Sequence, residues 1–303
     1  YGPLFQAALG ATPSFNSGIT VAASITSTTI QTVNPHVLAT GSGVSYGNDI
    51  RFVTAVNDAT TFTINAPFTA VPSAGALLAP TVTYKLASKL PSLTLYDYWD
   101  PATAVQRAAV GVGISQFAIS INGDFHEFLF RGPAADVVDS KTFITGTAGL
   151  NVFPAEPLVE AFDYSIVPGH VGSAWIGTSG ARMLTLTEAN IQLNNNLETR
   201  NHEFGALLPQ ALVPGPRQVN THFSVLAQDS SDTVALYQAA RERLAIPALL
   251  QLGIQQGQLM AIYLPKVVPE LPHYNDDSAR LQWSFTDCLA QGGVDDELFI
   301  AFA

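Results

Sequence analysis

Apolar and polar residues alternate along much of this chain with the two-residue period of half-buried strands, and only two stretches carry a helical signal. The opening PLFQAALGA reads as a short helical turn, with Pro3 suited to a first helical position and Gly10 to its end. ITVAASITSTTIQTV is dense in Ile, Val and Thr, a composition that favours strands. After the turn GSGVSYGND, the stretches DIRFVTAV and TFTINAPF read as a β pair around Asn57-Asp58. PSAGALLAP is a connection, and TVTYKLAS alternates as a half-buried strand should. Residues 1–88 therefore read as an N-terminal β-rich unit with a soft boundary, either separate or part of the main domain.

Residues 89–303 carry the larger unit. PSLTLYDYWD reads as a strand. In GVGISQFAISING, the apolar parity slips between Ile114 and the series Phe117, Ile119, Ile121, which predicts a bulge at Gly113. Asn122-Gly123 predicts a hairpin that returns through FHEFLFRG. The segment from Pro133 to Pro168 is looser, because Pro154, Pro157 and Pro168 break regular pairing. In ARMLTLTEANIQLNNN, Leu184 and Leu186 share one face while Ala189, Ile191 and Leu193 share the next, so a second bulge is expected near Glu188.

Strands are expected over Gln218 to Ala227 and Leu259 to Val268, the latter followed by a polar loop. Between them lies an amphipathic helix, 231–244. Ser231 is its expected cap, Asp232 suits the positive end of its dipole, Arg241 and Arg243 suit the negative end, and Pro247 stops it. Val234, Tyr237, Ala240 and Leu244 fall on one face, as in a helix covering one side of a sheet. No repeat of fixed period is present, which argues against solenoids and propellers.

One segment breaks the pattern. Arg200 to Arg217 (RNHEFGALLPQALVPGPR) is too interrupted for a strand, yet it carries Phe204, Leu207, Leu208, Leu212 and Val213. Loops are normally exposed. An apolar loop of this length needs a partner surface, on its own domain or on a neighbour.

Composition sharpens that expectation. Charged residues make up 12% of the chain and apolar ones 47%, against a usual charged share of roughly 25%. So little charge on a Thr/Ser/Ala/Gly-rich β protein points to surfaces hidden in an assembly. The net charge is −11 with no Lys/Arg cluster, so the electrostatic footprint of a nucleic-acid-gripping protein is missing, although DNA can still pass near such a surface. The single cysteine, Cys288, excludes an intrachain disulfide and reads as a buried structural thiol. No apolar run is long enough to span a bilayer, and no signal peptide opens the chain. Tyr1 stands where a start methionine is expected, which points to a processed or trimmed start. The expectation is a soluble protein folded in a reducing compartment.

The search for chemistry yields little. Gly43-Val44-Ser45-Tyr46-Gly47 fits the G-x-S-x-G pattern, but that motif needs a helix after it and DIRFVTAV follows instead. His36, His126, His170, His202, His222 and His273 are scattered, without metal-ligand spacing; His202 and His222 approach only if their segments pair. Asp276-Asp277 and Asp295-Asp296 lack the spacing of a calcium loop. No phosphate-binding glycine loop is present, and neither a catalytic site nor a cofactor is expected. A glycosidase pair of acids cannot be read from sequence.

In its order of segments the chain resembles major tail tube proteins of long-tailed bacteriophages. The resemblance rests on PLFQAALGA before a Thr-rich strand pair, on TVTYKLASKLPSLTLYDYWD leading into AAVGVGISQFAISINGDFHEFLFRG, and on ANIQLNNNLETRNHEFGALLP before a Pro/Gly turn and RQVNTHFSVL. A helix, LQLGIQQGQLMAIYLP and the closing GGVDDELFIAF complete it. The likeness covers most of the chain and is stronger in its C-terminal half.

It implies a β-sandwich or barrel-like domain with one flanking helix, six copies of which join into a ring, with rings stacked into a hollow tube through which DNA passes to the host. Implied partners are further copies of the chain, tape-measure, tail-tip and terminator proteins, and DNA in transit without specific binding, with no membrane. The implied location is the virion tail, assembled in the host cytoplasm. By the same analogy Phe204, Leu207, Leu208, Leu212 and Val213 are inter-ring interface candidates. The arms Tyr1 to Ser14 and Asp295 to Ala303 come next. The alternative is a receptor- or glycan-binding β module of a phage tail, for which Tyr96, Tyr98 and Trp99 form the one dense aromatic group. A hydrolase is a third reading that no motif supports.

Overall fold

A computed structural model describes residues 1–99, 104–156, 167–177, 180–201, 203–206, 208–275 and 280–303. The fold is mostly β, built from antiparallel sheets with two α-helices among the described residues. The largest sheet has 12 strands. Its main path runs Ser14–Asn16, Thr81–Lys85, Phe299–Phe302, Met260–Val268, Gln282–Ala290, Gln218–Leu226, Leu186–Asn194, Gln116–Ile121, Glu127–Arg131. Met260–Val268 is the branch point. Its first half pairs with Phe299–Phe302 and its end with Leu289 and Ala290. Along its length it pairs with Ile246–Leu252, which in turn holds Ser173–Ile176.

The sheet rolls up until it is nearly closed, and helix α1 (Gly2–Leu9) bridges the seam. Pro3 sits in its first turn, and Gly10 ends it at φ 101°, where a Cβ would lie 2.8 Å from the Lys89 carbonyl. Phe5 packs on Phe128 and Phe130 from one lip of the seam, and on Tyr84 and Phe302 from the other. The ring-centroid separations run from 5.2 to 6.0 Å. Burying such a ring stabilises by about 1.5–3 kcal/mol. Helix α1 is thus packed into the seam through Phe5, Ala7, Ala8 and Leu9, while Tyr1 before it stays exposed. In the closing segment, Phe299–Phe302 pairs on both sides within the large sheet.

Alternation along the central strands fills the interior with Phe117, Ile119, Ala189, Ile191, Leu193, Val219, Phe223 and Val225. The expected bulge near Glu188 is present as a register shift between Leu186 and Glu188. The hairpin after Ile121 forms, with a longer loop than two residues, since Ser120 pairs with Glu127. Gly113 lies in the kink between Arg107–Val112 and Gln116–Ile121 and donates to the Pro133 carbonyl.

Helix α2 (Ser231–Glu242) differs from expectation in two details. Its cap is Ser230, whose hydroxyl accepts from the Thr233 amide, and Arg243 closes it at φ 52°. Its buried positions are Thr233, Leu236, Ala239 and Ala240, while Val234 and Leu244 are exposed. Tyr237 packs against Trp283. Apolar residues nearly encircle this helix, so its pattern did not select one face.

Residues 1–88 contribute to two sheets. Ser14–Asn16 and Thr81–Lys85 belong to the large one, whereas strands between Ile19 and Leu78 form a six-stranded sheet with its own core around Val21, Ile30, Val53, Phe62 and Leu78. Ile50 and Phe52 of that sheet pack on Trp175, Leu249, Tyr263 and Phe299 of the large one. Asp49–Val53 is therefore buried throughout.

Candidate interaction surface

The loop singled out by sequence is a projecting hairpin. Glu198–Thr199 pairs with Leu212–Val213, and Arg200 exchanges backbone hydrogen bonds with Gln210 and Ala211. Its base is held firmly. Arg217 donates to Asp295 at 2.8 Å and to Glu297 at 3.0 Å, which ties the hairpin to the C-terminal segment. Asn195, 2% exposed, donates through Nδ2 to the carbonyls of Ala8 and Ile114.

The five candidate residues fare differently. Phe204 stands at the tip, fully exposed, and Leu208 and Val213 are exposed as well. Leu212 is half-buried and closes over Gly113, where an added Cβ would meet its Cδ1 at 2.7 Å. Leu207 lies outside the described residues, as does His202. The only charges on the described tip are Arg200 and Glu203, and they pair with each other.

Sequence reasoning missed a second feature. An apolar cavity of about 780 Å³ opens beside the seam, lined by Tyr1, Phe15, Val82, Phe128, Met260 and Phe302 among others. Tyr1, Phe15 and Phe125 are largely exposed around it. Its lining comes from widely separated segments, so no local motif announces it. His126 also lines it. Neither ring nitrogen of His126 has a hydrogen-bond partner among the described residues, and burial lowers its pKa below the ordinary histidine value.

Hairpin and cavity sit at opposite ends of the rolled sheet. Strand Gln116–Ile121 starts beside Asn194, at the hairpin's root, and ends toward Phe125 and His126. Helix α1 runs the same span, from Tyr1 at the cavity to Ala8 beside Asn195. Eight residues of helix separate the two by about 12 Å.

The chemical candidates do not assemble. Ser45 is buried in strand Gly43–Tyr46, and a second strand follows it rather than a helix. His222, Ser224 and Glu188 do meet on the outer sheet face. Ser224 donates directly to Glu188 at 2.7 Å, and its residue is fully buried. In a nucleophilic triad the histidine stands between serine and acid, with the serine open to substrate. Asp295 is committed to Arg217, and Asp276-Asp277 lies outside the described residues. No group of three His, Cys, Asp or Glu side chains among the described residues is placed to hold a metal ion. No helix among them is long and apolar enough to cross a membrane.

No protein-family model matches the chain, and no curated protein matches it.

Proposed function

We propose that this chain is a structural subunit that assembles with its own copies into stacked rings, forming the hollow tail tube of a long-tailed bacteriophage. The observation that carries the reading is the hairpin at 198–213. It places a fully exposed Phe204 with Leu208 and Val213 on a rigidly based projection that nothing on its own chain covers among the described residues. An exposed apolar projection of this kind is an association surface. Because hairpin and cavity lie at opposite ends, contact between copies runs head to tail, the arrangement that extends into an open stack. The net charge of −11 suits a conduit that DNA traverses without sticking.

Negative-stain electron microscopy of the purified protein, with light scattering on the same sample, tests this. Rings or hollow tubes of uniform width are expected. A monomer at every concentration sinks the reading.

A receptor- or glycan-binding module is the second reading. The specific observation for it is the stacked pair Tyr96 and Tyr98, centroids 6.1 Å apart, beside an exposed Trp99. Tyr98 is held by its hydroxyl to the Pro154 carbonyl, which makes that platform rigid. Saturable binding of a glycan array by the monomer, lost in Tyr96→Ala, favours this reading over the tube.

A further inference from the structure

We infer that the apolar cavity beside α1 is the seat for Phe204 of the next copy, so that each subunit carries both the plug and the socket of the stacking contact. This rests on the self-assembly reading above and names the partner surface within it.

Three observations converge. First, plug and socket match in chemistry. The plug presents Phe204 and Leu208, and the charges on its described residues, Arg200 and Glu203, pair with each other. The socket is lined by Val82, Phe128, Met260 and Phe302, and no Asp, Glu, Lys or Arg side chain is part of its lining. Docking therefore buries no acidic or basic side chain of the socket in an apolar site.

Second, they match in size. About 780 Å³ accommodates a phenyl ring with its flanking loop backbone. Aromatic anchors in such pockets dominate protein interfaces. Phe128 and Phe302 stand ready to receive a ring by edge or offset contact.

Third, the hairpin of one copy reaches the socket of another and not its own. The socket opens at the Tyr1 end of α1 and the plug roots at the Ala8 end. The hairpin cannot enter its own chain's cavity without unfolding the ladder Glu198–Thr199 with Leu212–Val213 and releasing Arg217.

The test joins a cysteine pair to a dye. Cys288 is fully buried, so engineered thiols react without its interference. In the double variant Ala206→Cys/Phe15→Cys, one cysteine flanks the plug and the other the socket rim. Mild oxidation of assembled protein is expected to give a ladder of disulfide-linked multimers, with no ladder from either single variant. Phe204→Ala, checked for native circular dichroism and thermal unfolding, is expected to raise the concentration needed for assembly by about tenfold or more, with Phe204→Leu between it and the parent. Anilinonaphthalene sulfonate, an apolar dye, is expected to bind the monomer and to be expelled on assembly.

Tubes that form without a ladder, or that keep the dye in an open cavity, overturn the socket while leaving the tube reading intact. The cavity then takes another apolar occupant. Tubes of Phe204→Ala at the parent concentration overturn the plug. Absence of any ordered assembly of the parent protein overturns both readings together.

Discussion

The guanidinium carbon of Arg51 lies 4.0 Å from the ring centroid of Trp175, joining the six-stranded sheet to the large one through a cation–π contact. Arg51 is fully buried. It pairs with Asp49 at 3.3 Å and donates to the Gln251 side chain and to the carbonyls of Ile50 and Pro67. Burial pulls its pKa down to about 10, against the opposing pull of Asp49, so it stays charged at neutral pH. Gln251 completes the joint by donating to the Asn48 carbonyl and accepting from the Ile50 amide.

Arg51→Ala leaves Asp49 without its cation and strips the joint of its guanidinium donors. A loss of about 3–5 kcal/mol is expected from breaking such a buried pair. Arg51→Lys is expected to recover only part, because an ammonium lacks the flat fork that stacks on Trp175 and bonds three ways. Urea unfolding followed by tryptophan fluorescence measures both. An unchanged midpoint for Arg51→Ala would show that the two sheets hold together without this residue.

Cys288 gives a chemical prediction. Burial raises its thiol pKa to about 11, with the fully buried side chain set against the Phe285 carbonyl. The thiolate is the reactive form, so the native protein should resist Ellman's reagent at pH 8 and react once unfolded in urea. The sign of the linkage follows. The folded pKa lies above the unfolded one, so the stabilising share is complete below about pH 8.5 and is lost as pH rises toward 11. Prompt labelling of the folded protein would place the thiol at the surface instead.

Much of this architecture was legible because local pattern and global fold agree. The slip at Glu188, the return after Asn122-Gly123 and the strand Gln218–Leu226 each follow from two-residue alternation. Where the alternation breaks, legibility fails. Gln282–Ala290 lies inside the large sheet, yet LQWSFTDCLA gives no clean period. Its pairing with Gln218–Leu226 shifts register between Phe285 and Cys288, and Asp287 sits at φ 53°. Ile246–Leu252 is apolar without alternation and carries Pro247, which reads as a helix stop and not as a strand. The projecting hairpin was legible as apolar residues on a broken segment. The cavity was not, because Tyr1, Val82, Phe128 and Met260 meet only after the sheet has rolled and α1 has closed its seam.

His126 makes the cavity sensitive to acid. Both ring nitrogens lack partners among the described residues, and burial disfavours the imidazolium, so its folded pKa lies below the unfolded value. The unfolded chain therefore binds the proton first as pH falls. Stability is complete above about pH 6.5 and declines below it, through the folded pKa. His126→Phe should flatten this slope between pH 7 and pH 5 while keeping the apolar lining. Urea midpoints across that range give the measurement, and parallel slopes for parent and variant would assign the acid sensitivity to other groups.

Arg217 separates the stability of the subunit from its ability to assemble. Its guanidinium neutralises Asp295 and Glu297 at the root of the hairpin, and it reaches the Ala87 carbonyl as well. Arg217→Ala removes these charge-assisted bonds and leaves two carboxylates facing each other, a loss of about 1.5–3 kcal/mol. Added salt should recover part of it by screening that repulsion. The interior around Phe117, Ile191 and Phe223 remains packed without Arg217, so the fold survives a loss of this size. The hairpin is not indifferent, because its base is held by Arg217, by the Asn196 side-chain bond to the Pro216 carbonyl, and by the short ladder to Val213. A loosened base raises the ordering cost of docking Phe204. The protein should therefore remain folded at 25 °C yet assemble only at higher concentration, with Arg217→Lys intermediate. Circular dichroism paired with light scattering reads the two effects separately. Equal proportional losses in both would mean that the cluster supports the fold alone and takes no part in presenting the hairpin.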